Sequence, residues 1–283
     1  MNYPFKRIWK TKANQQDYLG IKHTSGLQYA VKLSDGSVMS SYACEVAGRT
    51  DTVFIKWSPS GSLISAMQVL YGGHGGTFGY DEKTNTIYSY RDKVLSNLKE
   101  IISFTYTPKV NLNFDQGKHI ATVNEYTRVN IDTPSNKYVT SNYSGKVSIG
   151  DLSNWEEQIS LNIFDYKLDP QVNTIQATAL AYPYLFITSG NVDNKDPRLV
   201  TCVNVETKQL IFQDEIIANK DIKAFTPLSL QNHLEPEGIY WDYVKKELAV
   251  GFNKTEREFL IKRVHSELYS TNKYNKYLPK LIN

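Results

Sequence analysis

A strand–turn–strand unit recurs five times along this chain. A period of about fifty residues built from short strands is what a β-propeller blade requires. Residues 77–91 (TFGYDEKTNTIYSYR), 128–142 (RVNIDTPSNKYVTSN) and 238–252 (GIYWDYVKKELAVGF) align without a gap. The alignment superposes Phe78, Val129 and Ile239, then Tyr80, Ile131 and Trp241, then Asp81, Asp132 and Asp242. Fainter copies lie at 28–42 and 176–190, the latter with a shorter turn. The apolar anchors Val38, Ile87, Tyr138, Leu185 and Leu248 are then separated by 49, 51, 47 and 63 residues. The expectation is an all-β fold, a five-bladed β-propeller with antiparallel blades.

A chain of 283 residues is long enough for such a ring to fold as one unit. Its 20 Tyr, 11 Phe and 4 Trp suit strands packed face to face. The net charge of +3 gives no reason to expect nucleic acid or an acidic membrane as partner. Cys44 and Cys202 sit in strand-like runs on distant blades and have no metal-ligand spacing, so both are expected as buried free thiols. The first twenty residues lack the apolar stretch of a secretory signal, and no run approaches the ~18 apolar residues of a membrane span. Any exit from the cell is therefore expected by lysis, by a dedicated exporter or as part of a particle, without a signal peptide.

Turn chemistry divides the chain into an N-terminal segment or closing strand (1–26), the propeller (27–265) and a peripheral C-terminal tail (266–283). Two short helices are expected, at 92–102 and at 272–282, the second interrupted by Pro279. Blade two is expected to end near Pro108.

The inner strands of a propeller converge on one channel, so residues preceding them gather at one rim. In the gapless register His74, Glu125 and Glu235 share one position, and Gln28, Thr77, Arg128 and Gly238 share another, with Gln176 as the fourth-blade member. With Glu237 this makes a polar ring. One reading is that these groups satisfy one another and ordered water; the other is a ligand site. The loop Gly72-Gly73-His74-Gly75-Gly76 permits positive φ and close approach of a ligand or a neighbouring strand. A metal there would need Glu125 and Glu235 beside His74, and the sequence assigns neither a metal nor a cofactor. The carboxylates Glu125, Glu235 and Glu237 could serve a propeller glycosidase or lyase acting on polysaccharide, but no catalytic motif is present. Tyrosines near the loops could stack on sugar rings.

The run GSLISAMQVLYGGHGGTFGYDEKTNTIYSYRD resembles a blade of the propeller platform in receptor-binding tail proteins of phages that infect Gram-positive bacteria. It is also similar to helveticin-J-type bacteriocins. LEPEGIYWDYVKKELAVGF resembles the last-blade motif of the same group, and Gln28-Tyr29 the opening of its first blade. The resemblance implies a non-enzymatic binder of a cell-wall polymer or glycan, teichoic acid or its sugar substituents. The alternatives are a helveticin-J-like bacteriocin and the polysaccharide-cleaving enzyme. It implies a binding rim around Gln28, His74, Arg128, Glu235 and Glu237, with Arg128 as the phosphate partner. Such proteins carry a trimeric stem and further modules. This sequence has no heptad run, so it reads as one module or a stand-alone binder, with a homo-oligomer or other virion proteins as partners.

Overall fold

The computed structural model describes residues 5–11, 17–18, 21–22, 26–46, 48–93, 98–113, 116–166, 175–190, 198–217, 233–258 and 261–282. Five sheets make five blades. Blade one comprises Leu27–Lys32, Val38–Val46, Arg49–Trp57 and Leu63–Val69. Blade two comprises Gly79–Asp81, Thr86–Lys93, Leu98–Thr105 and Lys118–Val123. Blade three comprises Thr127–Asp132, Lys137–Asn142, Lys146–Asp151 and Glu157–Asn162. Blade four comprises Ile175–Ala181, Tyr184–Ser189, Arg198–Asn204 and Gln209–Ile217. Blade five comprises His233–Asp242, Glu247–Glu258, Ile261–Thr271 and, as outermost strand, Lys6–Lys10.

The repeat units occupy equivalent hairpins. Tyr80 pairs with Ile87, Ile131 with Tyr138 and Trp241 with Leu248. The turns after them share a mechanism: Asn85, Asn136 and Lys246, all at one register position, adopt φ of 54°, 55° and 53°. Asp81 accepts from the Lys83 amide at 3.0 Å, and Asp242 from those of Val244 and Lys245 at 3.0 and 2.9 Å.

The ring closes by pairing Lys6–Lys10 antiparallel to Ile261–Thr271. Glu267, buried in that strand, meets Arg7 and Lys10 at 3.3 and 3.4 Å. Trp9 packs edge-on against Trp57 at 6.0 Å and donates to the Ser58 carbonyl at 3.1 Å. Gly61 admits the closing strand, because a Cβ there would lie 2.0 Å from the Lys10 carbonyl oxygen. Closure covers the outer edge of Ile261–Thr271.

Three expectations need correction. Of the 92–102 segment, expected as a helix, residues 92–93 and 98–102 lie in strands, and 94–97 lie outside the described residues. Blade two does not end at Pro108: Asn111–Leu112 adds in parallel to the outer strand of blade one, and the chain returns as Lys118–Val123. Arg91 secures this detour by donating to the Asn113 and Gln116 carbonyls while paired with buried Glu100 at 2.7 Å. Finally, the last strand continues to Thr271, and Tyr274 and Leu278 are buried in the core, so residues beyond 265 are integral to the ring. Tyr274 stacks on Phe212 at 4.2 Å. Pro279 begins a single helical turn, Pro279–Ile282, where its missing N–H costs nothing.

Apolar side chains fill the spaces between blades: Trp57, Tyr42 and Tyr240 between blades five and one, Val139, Ile149 and Leu185 between three and four. Each fully buried large side chain contributes about 1.5–3 kcal/mol. Cys44 and Cys202 are buried free thiols.

Candidate functional site at the channel

Five side chains or main-chain groups, one from each blade, meet at mid-channel. Tyr29 of blade one is fully buried and donates to the Ile239 carbonyl of blade five at 2.9 Å. It accepts from Asn130 Nδ2 of blade three at 2.9 Å, and Asn130 Oδ1 accepts from the Leu180 amide of blade four at 3.3 Å. Phe78 of blade two completes the plug, its ring edge-on to Tyr29 at 5.1 Å. Burial raises the Tyr29 phenol far above its ordinary range, with Asn130 opposing. The plug separates two mouths. One lies at the N-terminal ends of the inner strands, where the polar ring is expected; the other lies at their C-terminal ends.

At the first mouth, Arg128 is 3 % exposed and ties blade three to blade four. Its Nε donates to the Gln176 carbonyl at 2.8 Å and its Nη2 to that of Ile175. Nη1 is buried without a hydrogen-bond acceptor. The guanidinium lies 4.7 Å from the ring centre of Tyr143 and 5.5 Å from that of Tyr126. Those two rings stack at 5.3 Å with an interplanar angle of 24°, and Tyr143 is 53 % exposed. Burial pushes the Tyr126 phenol up to about 12, with Arg128 pulling it back and Tyr143 and Glu237 adding to the rise. Glu125 accepts from Asn142 Nδ2 at 2.7 Å and from Ser144 Oγ at 3.4 Å, beside the exposed ring.

The glycine–histidine loop is held against this cluster. Gly76 donates to the Tyr126 hydroxyl at 3.0 Å, Thr52 donates to the Gly73 carbonyl at 3.1 Å, and Ser41 donates to that of Gly75. Gly73 and Gly75 adopt φ of +71° and +65°, and a Cβ at Gly75 would meet Thr52 at 2.6 Å, so both need glycine. His74 itself is exposed.

The structure thus gathers Glu125, Arg128, the Gln176 backbone, buried Glu237 and the 72–76 loop at one mouth. The Gln176 side chain turns to its own blade, donating to the Gly190 carbonyl at 2.9 Å. Gln28 is half-buried at a bulge in the first strand. The Glu235 side chain lies outside the described residues. Arg128 does not present its guanidinium to solvent, and two of its nitrogens are spent on main-chain carbonyls. Sequence reasoning missed the Tyr29–Asn130 plug; the sole signal was an amide, Asn130, set between the apolar Val129 and Ile131. Among the described residues no three His, Cys, Asp or Glu side chains group closely enough to hold a metal ion, and no helix is long and apolar enough to cross a membrane.

The model of the phage five-bladed beta-propeller receptor-binding platform domain matches residues 34–270. The tail fiber of Staphylococcus aureus phage P68 superposes with a TM-score of 0.70 at 16 % identity, over 98 % of this chain and 55 % of that one. A Bacillus subtilis (strain 168) protein named "Putative major teichoic acid biosynthesis protein C" is 24 % identical over 244 residues, 79 % of this chain and 54 % of that protein. The chain spans about half the length of either relative.

Proposed function

This chain belongs to the phage five-bladed β-propeller receptor-binding platform family, and we propose that it attaches a phage tail to its host by holding a cell-surface polymer, teichoic acid or its sugar substituents, at the Arg128 mouth. The observation that carries this reading is the exposed tyrosine stack, Tyr143 on Tyr126, laid over the buried positive charge of Arg128. The open face of Tyr143 suits the apolar face of a sugar ring. Glu125, Asn142 and Ser144 beside it offer a carboxylate, an amide and a hydroxyl to sugar hydroxyls. The guanidinium, buried beside the Tyr143 ring, favours a phosphodiester over that ring by its charge rather than by a hydrogen bond. The name of the Bacillus relative carries the same polymer. A single exposed polar site binds weakly, roughly millimolar to micromolar, or about 4–8 kcal/mol, so attachment relies on several copies in one virion.

Tyr143→Ala is the informative variant, because Arg128 also bolts two blades together. Wild type and variant are titrated against purified teichoic acid fragments at several salt concentrations, and polymer length is checked afterwards. The expected result is at least ~5-fold weaker binding by the variant, an unchanged melting temperature and polymer of unaltered length. Equal binding by both proteins, or none by wild type even when clustered on beads, overturns the proposal; shortened polymer would make the protein an enzyme.

A further inference from the structure

The opposite mouth holds a cavity of about 560 Å³. Its floor is the Tyr29–Phe78 plug, and its walls include Tyr80, Tyr240, Trp241 and Tyr243. Trp241 is 6 % exposed and stacks on Phe186 with an interplanar angle of 6°, yet its indole N–H is buried with no acceptor. Deeper in the same wall, Asp132 accepts from the Tyr243 hydroxyl at 2.6 Å and from the Tyr182 amide at 2.9 Å. The lip carries Lys32, Lys83 and Lys245 against Asp81, Glu82 and Asp242, three charges of each sign.

We propose that this cavity is a second binding site, separate from the Arg128 mouth, and that its ligand is a neutral mono- or disaccharide. The volume lies within the ~300–1,000 Å³ of small-molecule sites, and an aromatic enclosure with a few polar groups is their usual lining. Aromatic walls match the C–H faces of a sugar ring. Trp241 borders the cavity, and a small turn of its side chain would give its unpartnered N–H to a ring oxygen, hydroxyl or N-acetyl carbonyl. The balanced lip gives a polyphosphate no net attraction, and Asp132 repels it. No ligand can pass from one mouth to the other, because the plug joins all five blades between them. This site therefore stands or falls independently of the proposed rim.

The test uses wild type, Trp241→Phe, Thr133→Trp and Tyr143→Ala. Trp241→Phe keeps a ring to stack on Phe186 and removes the donor; Thr133 is exposed and lines the cavity, so tryptophan there obstructs the mouth without entering the core. The probes are neutral hexoses and N-acetylhexosamines, as mono- and disaccharides, with glycerol 3-phosphate as the anionic control, measured by calorimetry and ligand-observed NMR. At least one neutral sugar should saturate wild type, bind ~5-fold or more weakly to Trp241→Phe, and be excluded by Thr133→Trp. Tyr143→Ala should bind it as wild type does, and glycerol 3-phosphate should not displace it. The proposal is overturned if no neutral sugar saturates wild type by roughly 10 mM. It is also overturned if both cavity variants bind normally, if Tyr143→Ala abolishes binding, or if glycerol 3-phosphate competes.

Discussion

The two mouths of the channel are built from opposite ends of the same five strands, and they spend polar residues differently. At the C-terminal mouth the aspartates end strands and must close turns: Asp81 holds the Lys83 amide, and Asp242 those of Val244 and Lys245. Asp132 is drawn inward instead, to Tyr243 and Tyr182. At the N-terminal mouth the residues open their strands or just precede them, where no turn dictates them, and they knit neighbouring blades together. Arg128 reaches the carbonyls of the next blade, and the Tyr126 hydroxyl takes the Gly76 amide of the preceding one. A repeat therefore fixes chemistry where it fixes turn geometry and leaves it free where strands begin. The free end is the one where a binding surface can diversify without disturbing the fold.

The partition between the mouths depends on the plug, and the largest expected effect lies there. Asn130→Ala removes the acceptor of the Leu180 amide and the donor to Tyr29 in one change. Each buried group left unsatisfied costs about 1–3 kcal/mol, so a loss of about 2–6 kcal/mol should appear in chemical denaturation. A loss below about 1 kcal/mol would mean that the blades are held by their apolar interfaces alone and that the plug is incidental.

A smaller effect distinguishes the aspartates. Burial raises the Asp132 carboxyl above its ordinary range, against the opposing hydrogen bonds of Ser135, Tyr243 and Tyr182. Asp151, an exposed turn carboxylate, is instead lowered, chiefly by its bonds from Ser153. A raised folded-state pKa favours the folded protein most below the unfolded value, and that contribution is lost as pH rises through the folded value. Wild type should therefore gain stability relative to Asp132→Asn as pH falls from 7 into the carboxylate range. Parallel curves for the two proteins, or a relative loss on acidification, would contradict the burial assigned to Asp132.

The sequence made the blade count and hairpin register legible, because both rest on local turn chemistry: an aspartate at the strand end, a left-handed residue four positions on, and apolar anchors on either side. It was silent where distant parts meet. Nothing in PFKRIW announces that Trp9 will pack on Trp57 of blade one, or that Glu267, more than two hundred and fifty residues away, will be buried to receive Arg7 and Lys10. The detour through Asn111–Leu112 was hidden for the same reason: a two-residue parallel ladder has no periodicity to read. The candidate site was half legible. Register placed Glu125, Arg128 and the histidine loop at one mouth, but an arginine at a rim position can face solvent or bolt blades together, and only the carbonyls of Ile175 and Gln176 decide it. Tyr143 stood out only as one of many tyrosines.

The smallest effect on stability, and the sharpest probe of how far the rim extends, is His74→Ala. The loop is positioned by its glycines and by Thr52, Ser41 and Tyr126, none of which contacts it through the imidazole. Because His74 is exposed, its removal should change stability by no more than about 0.5 kcal/mol. Binding of teichoic acid fragments separates two outcomes. A loss smaller than that of Tyr143→Ala is expected, since an exposed imidazole contributes one hydrogen bond in competition with water, whereas the tyrosine face contributes both burial and shape. Losses of equal size would place the loop in the centre of the rim and move the boundary of the site across blade two. No loss at all would confine the site to the Glu125–Tyr143 side of the mouth. The contrast between a loop held by its backbone and a surface made by its side chains would then hold at the level of single residues.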